Sequence, residues 1–89
     1  MSRNLLHKDK LDDFIKWCNW QGIAAYRVEI DYQVARVRIQ SKPKLVFANI
    51  YYRLNMPEHY TVDWRLENTV RRYIRWSKAV SKEVLNEKQ

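Results

Sequence analysis

A chain of 89 residues is too short for two ordinary domains, and 46% apolar residues with one Gly and two Pro leave little room for disorder or flexible linkers. Four Trp, six Tyr and two Phe supply the large side chains that a core of this size needs. Seventeen Lys and Arg against 10 Asp and Glu give a net charge of +7, which points to polyanionic partners: nucleic acid, an anionic membrane face or an acidic protein surface.

No apolar run approaches the roughly 18 residues of a spanning helix, so no membrane partner is expected. The first residues, Met1 to Lys8, lack the apolar stretch of a signal peptide. Cys18 is a lone cysteine and cannot form an internal disulfide, which fits a reducing compartment such as the cytoplasm.

In chain order, Leu11, Phe14, Ile15 and Cys18 recur at three- and four-residue spacing and predict a helix from Asp9 to Gln21, capped by Asp9 and stopped by Gly22. From Ile23 the period becomes two. Tyr26, Val28 and Ile30 then form an inward row, with Arg27 and Glu29 outward. A turn near Asp31-Tyr32-Gln33 reverses the parity, so Ala35, Val37 and Ile39 face inward while Arg36, Arg38 and Gln40 face out. After a turn at Pro43, a third strand from Leu45 to Arg53 puts Val46, Ala48, Ile50 and Tyr52 inward and Leu45, Phe47, Asn49 and Tyr51 outward. Asn55-Met56-Pro57-Glu58 has the form of a capping box. The last helix is predicted from Val62 to Leu85, with Leu66, Val70, Tyr73, Ile74, Trp76, Val80 and Val84 in its apolar arc. The expected fold is α+β, in the order α-β-β-β-α: one three-stranded antiparallel sheet with both helices packed on one face, in a single domain over residues 1–89.

Double-stranded-RNA-binding domains share that element order. Their lysine-rich start of the last helix and their Gly-Pro strand turn are both missing, so no family follows from it.

Two surfaces could carry function. On the last helix Arg71, Arg75, Lys78 and Lys82 fall at four-, three- and four-residue steps with no acid between them, and Trp64 is expected on the same stripe. Like charges so spaced repel, whereas a face kept only for solubility would interleave Glu. The outward sheet face is expected to combine Arg36, Arg38 and Arg53 with Phe47 and Tyr51, cations for phosphates and ring faces for bases. The expected function is therefore non-enzymatic binding of nucleic acid, DNA or RNA, through one or both surfaces. The alternative is a protein-binding inhibitor or adaptor docked on an acidic surface, and the aromatic sheet face could also pair two copies of the chain.

A catalytic role has weak support. Asp31 followed by Gln40 and Lys42 loosely matches the carboxylate and lysine set of metal-dependent nucleases. His7 and His59 are far apart in sequence and no Cys or His stands at ligand spacing, so neither metal nor cofactor is expected.

Overall fold

The computed structural model describes residues 5–41, 43–55 and 58–87, with side chains as far as residue 81 apart from that of Ser41. The elements are β1 (Leu6–His7), a 3₁₀ turn (Lys8–Lys10), α1 (Leu11–Trp20), β2 (Ala24–Ile30), β3 (Gln33–Ser41), β4 (Lys44–Tyr52), β5 (His59–Val62), a second 3₁₀ turn (Trp64–Leu66) and α2 (Glu67–Glu87). All strand pairs are antiparallel, in the order β1-β5-β4-β3-β2.

The sheet thus has five strands among the described residues, not the three expected. The sequence places Val62 at the start of the last helix, yet it is the last residue of β5, buried opposite Ile50. The cap lies one residue later: the Asp63 carboxylate accepts the Arg65 backbone N–H at 3.0 Å, and the chain turns into the 3₁₀ segment only there. A two-residue β1 has no periodicity to read, and it is defined by pairing Leu6 with Tyr60 and His7 with His59. Met56 and Pro57 of the expected capping box lie outside the described residues.

At the start of α1, Asp9 sits in the 3₁₀ turn instead of capping the helix, and the cap of that turn is His7, whose Nδ1 accepts from Asp9 N at 3.2 Å. The other end stops as expected at Gly22, with φ of +82°. Ile23 N–H donates to the Cys18 carbonyl at 2.8 Å and Gly22 N–H to that of Asn19 at 3.1 Å, the double closure of a Schellman motif. A Cβ at Gly22 would meet nothing within 4 Å, so the cost of Gly22→Ala is that of the left-handed backbone alone. We expect about 1 kcal/mol, read from the urea midpoint.

The α1–β2 connection also reverses the predicted phase of β2. Asn19 Nδ2 donates to the Ala25 carbonyl at 3.0 Å and its Oδ1 accepts the Ala25 N–H at 3.3 Å, so a side-chain amide stands where a neighbouring strand would. Ala25 is thereby buried, Tyr26 turns to the opposite face, and Arg27 turns towards α1, where it bonds Asp12 at 2.7 Å. A register shift between Arg27 and Ile30 breaks the alternation again, and Ile30 is left exposed. The tight β2–β3 turn needs no glycine because Asp31 itself takes a positive φ of 53°, which a short polar side chain tolerates.

In β3 an extra residue between Gln33 and Ala35 lets Val34 join the inward row of Ala35, Val37 and Ile39. In β4 Val46, Ala48 and Ile50 face inward as expected, while Tyr52 lies half-exposed against the Tyr60 ring. Phe14, Trp17 and Cys18 of α1 and Val70 and Tyr73 of α2 share one core with Ala25, Val37, Ala48, Ile50 and Val62, so both helices cover the same sheet face. Tyr73 is buried as predicted, but Ile74 and Trp76 only partly so, and Val80 is exposed. Trp76 spans from the buried Trp17 to Trp20, which is 70% exposed. No described helix is long and apolar enough to cross a membrane.

Candidate nucleic-acid interface

Among the described residues, no helix covers the other face of the sheet. Its central positions follow from register: Arg36 opposite Asn49, Arg38 opposite Phe47, Gln33 opposite Tyr51, and Tyr26 beside Arg36 on β2. Asn49 organises them. Its Oδ1 accepts Gln33 Nε2 at 2.7 Å and Arg36 Nε at 3.1 Å, and its Nδ2 donates to the Tyr51 hydroxyl at 3.2 Å. Arg36 also reaches Gln33 Oε1 at 3.5 Å, and its guanidinium lies 5.6 Å from the centroid of the Phe47 ring.

This network holds a long cationic side chain in one orientation, so less rotamer entropy remains to be lost when it meets an anion. The rings around it remain accessible: Tyr26 is 39%, Phe47 41% and Tyr51 37% exposed. Thr61 opposite Tyr51 and the His7–His59 pair, with ring centroids 5.1 Å apart, continue the face across β5 and β1. No Asp or Glu occupies any of these positions, and none occurs from Tyr32 to Pro57.

Four of the expected sheet residues, Arg36, Arg38, Phe47 and Tyr51, therefore lie together. Arg53 follows the end of β4 at Tyr52 and lines a recess at the end of the sheet with Tyr32, Tyr52 and Leu54. Sequence reasoning set Asn49 on the outward face without giving it a role in the site, omitted Gln33 and turned Tyr26 to the wrong face. The latter follows from the strand register, which sets Ala25 opposite the inward Val37 and Tyr26 opposite Arg36, together with the Asn19 clamp on Ala25.

On α2, Arg71, Arg75 and Lys78 do converge, lining a shallow groove with Ile74; Lys82 continues the helix with a side chain outside the described residues. Trp64 is absent from this stripe. It stands 74% exposed on the 3₁₀ turn before α2, with the Arg65 guanidinium 5.4 Å from its ring. A helical-wheel projection fails there because a 3₁₀ turn advances three residues per turn rather than 3.6. The α2 groove and the open sheet face are separated by the helix layer and the sheet itself. A single short strand of nucleic acid cannot lie on both.

No family model, curated protein or solved structure matches the chain. The assignment therefore rests on the chemistry of the surfaces.

Asp31 lies in the turn before β3 and Gln40 near its far end, so these two members of the loose nuclease motif are separated by most of a nine-residue strand; Lys42 lies outside the described residues. Among the described residues no three His, Cys, Asp or Glu gather as a metal site. Cys18 is fully buried, and burial pushes its thiol up to about 12, partly offset by Arg72, so it is a packing residue and not a nucleophile.

Proposed function

We propose that this domain binds single-stranded nucleic acid across the open face of its sheet. The observation that carries the reading is the Arg36–Asn49–Gln33 network, which fixes a guanidinium against Phe47 among exposed rings on an acid-free face. Phe47, Tyr51 and Tyr26 are the stacking platforms for bases, and Arg36 and Arg38 are the phosphate contacts. Single strands suit this face better than duplex does, because stacking needs bases whose ring faces are free. A thiol as buried as Cys18 is compatible with the cytoplasm as the place of action.

Fluorescence anisotropy with a labelled oligothymidylate or oligouridylate tests the reading. Affinity should fall linearly in log salt, and Arg38→Ala should make the slope shallower by about 0.7, the value for one phosphate on a single strand. Phe47→Ala should weaken binding about 5- to 150-fold, the range for loss of one stacked base. Arg75→Ala on α2 should change neither. If Arg75→Ala lowers the slope while Phe47→Ala leaves affinity unchanged, the helix groove is the contact and the sheet reading fails.

A further inference from the structure

The second surface with unmet bonding capacity is a strand edge. β3 pairs with β4 along its whole length, but on the other side β5 covers only Ile50, Tyr51 and Tyr52. Past that point the Asn49 carbonyl accepts Asp63 N–H at 3.0 Å, and the chain then turns away into the 3₁₀ segment. Asn49 thus directs its main chain away from β3, and by strand alternation so do Phe47 and Leu45. The Phe47 carbonyl is met by Arg65 Nη1 at 3.1 Å. Among the described residues, no hydrogen-bond partner meets the N–H of Phe47 or either main-chain group of Leu45.

Beside this edge the inward residues of the β3–β4 hairpin, Ile39 and Val46, lie beyond the cover of the helices and are only half-buried. With Trp64 and Arg65 they line an open recess of about 280 Å³. An added strand would set alternate side chains into this recess and onto the Phe47 side of the sheet. Its charge is also specified: Lys44 shares the inward face with Val46, Arg38 pairs with Phe47 across the sheet, and Arg65 stands at the rim. The nearest acid, Asp63, is already 3.8 Å from Arg65.

We propose that the β4 edge at residues 45–47 binds an extended acidic peptide as an added antiparallel strand, with an apolar side chain in the Ile39–Val46–Trp64 recess and carboxylates on Arg65 and Lys44. A second copy of this chain is the poorer occupant, because it would bring the same cations against one another in a protein of charge +7. The inference does not rest on nucleic-acid binding on the open face, although the two sites share Phe47 and Arg38.

The test uses the full chain and a fluorescein-labelled octapeptide of alternating valine and glutamate with blocked ends. Two further versions carry N-methyl groups on every valine or on every glutamate. Because alternate residues of an added strand point their N–H at β4, one methylated peptide should lose about tenfold or more in affinity and the other should keep it. Leu45→Pro removes an edge donor without removing a β3–β4 bond and should weaken binding about tenfold. Trp64→Ala, at an exposed site that the fold does not need, should weaken it by a smaller factor. Equal binding of both methylated peptides would mean attraction by charge alone and overturn the proposal, as would no binding of the parent peptide. Self-association of the protein that Leu45→Pro abolishes would assign the edge to a second copy and overturn it too.

Discussion

Raising the pH above about 9 should unfold this domain steeply, because three buried groups keep protons that the unfolded chain gives up. The ordinary value is 9.0 for Cys18 and 10.0 for Tyr60 and Tyr73. In the folded protein burial pushes Cys18 to about 12. Burial, reinforced by the Asp13 carboxylate, pushes Tyr73 well above its usual range, and burial next to Tyr52 raises Tyr60. All three folded values are raised, so the stabilisation is fully present below pH 9 and is lost as the pH climbs towards the folded values. Where the unfolded chain binds one proton fewer, stability falls by about 1.4 kcal/mol per pH unit. With Cys18 and Tyr73 both engaged, above about pH 10, the fall approaches about 2.8 kcal/mol per unit, and Tyr60 adds to it in the same direction, against a total of about 4–13 kcal/mol for a domain of this size. Urea midpoints followed by tryptophan fluorescence from pH 8 to 11 will show the decline. Cys18→Ala should remove about 1.4 kcal/mol per unit of that slope between pH 9 and 11, whatever it does to stability at pH 7. A midpoint that stays flat to pH 11 would contradict the burial of these groups.

Tyr73→Ala should be among the most damaging single substitutions in the chain, costing about 3–5 kcal/mol. The ring is 1% exposed and meets Phe14 at 5.3 Å, Trp17 at 5.7 Å and Trp76 at 6.2 Å between centroids, so it joins α2 to α1. At about 4–8 °C per kcal/mol for a domain of this length, the melting temperature should drop by about 12 °C or more. Its hydroxyl donates to Asp13 Oδ2 at 2.6 Å, but Asp13 lies at the surface and water can replace the donor. Tyr73→Phe should therefore cost only about 1 kcal/mol. The pair of variants separates packing from the hydrogen bond. Equal losses would mean that the Asp13 contact, and not the aromatic cluster, joins the helices.

Much of this fold was legible because its signals are local. Three- and four-residue spacing in Leu11, Phe14 and Cys18, alternation in Ala35, Val37 and Ile39, and Gly22 as a stop each depend only on neighbours in the chain, and the structure keeps them. The outward row of β4 was legible for the same reason, so Phe47, Tyr51, Arg36 and Arg38 could be grouped before their network was known. The open face explains why that row is apolar: no helix covers it among the described residues.

What the sequence determined by itself was therefore the class of the fold, two helices on an antiparallel sheet, together with its basic charge and the identity of most residues on the exposed sheet face. Tertiary structure alone decided the rest. β1 exists only as a partner of β5, since two residues carry no period. The phase of β2 goes with its pairing on β3, Ala25 opposite Val37, and with the Asn19 amide on Ala25, a contact six residues away in the chain. Trp64 left the helical stripe because the Asp63 cap starts a 3₁₀ turn ahead of α2. In each case the deciding energy was a hydrogen bond or strand pairing made in the folded chain, which residue spacing does not encode.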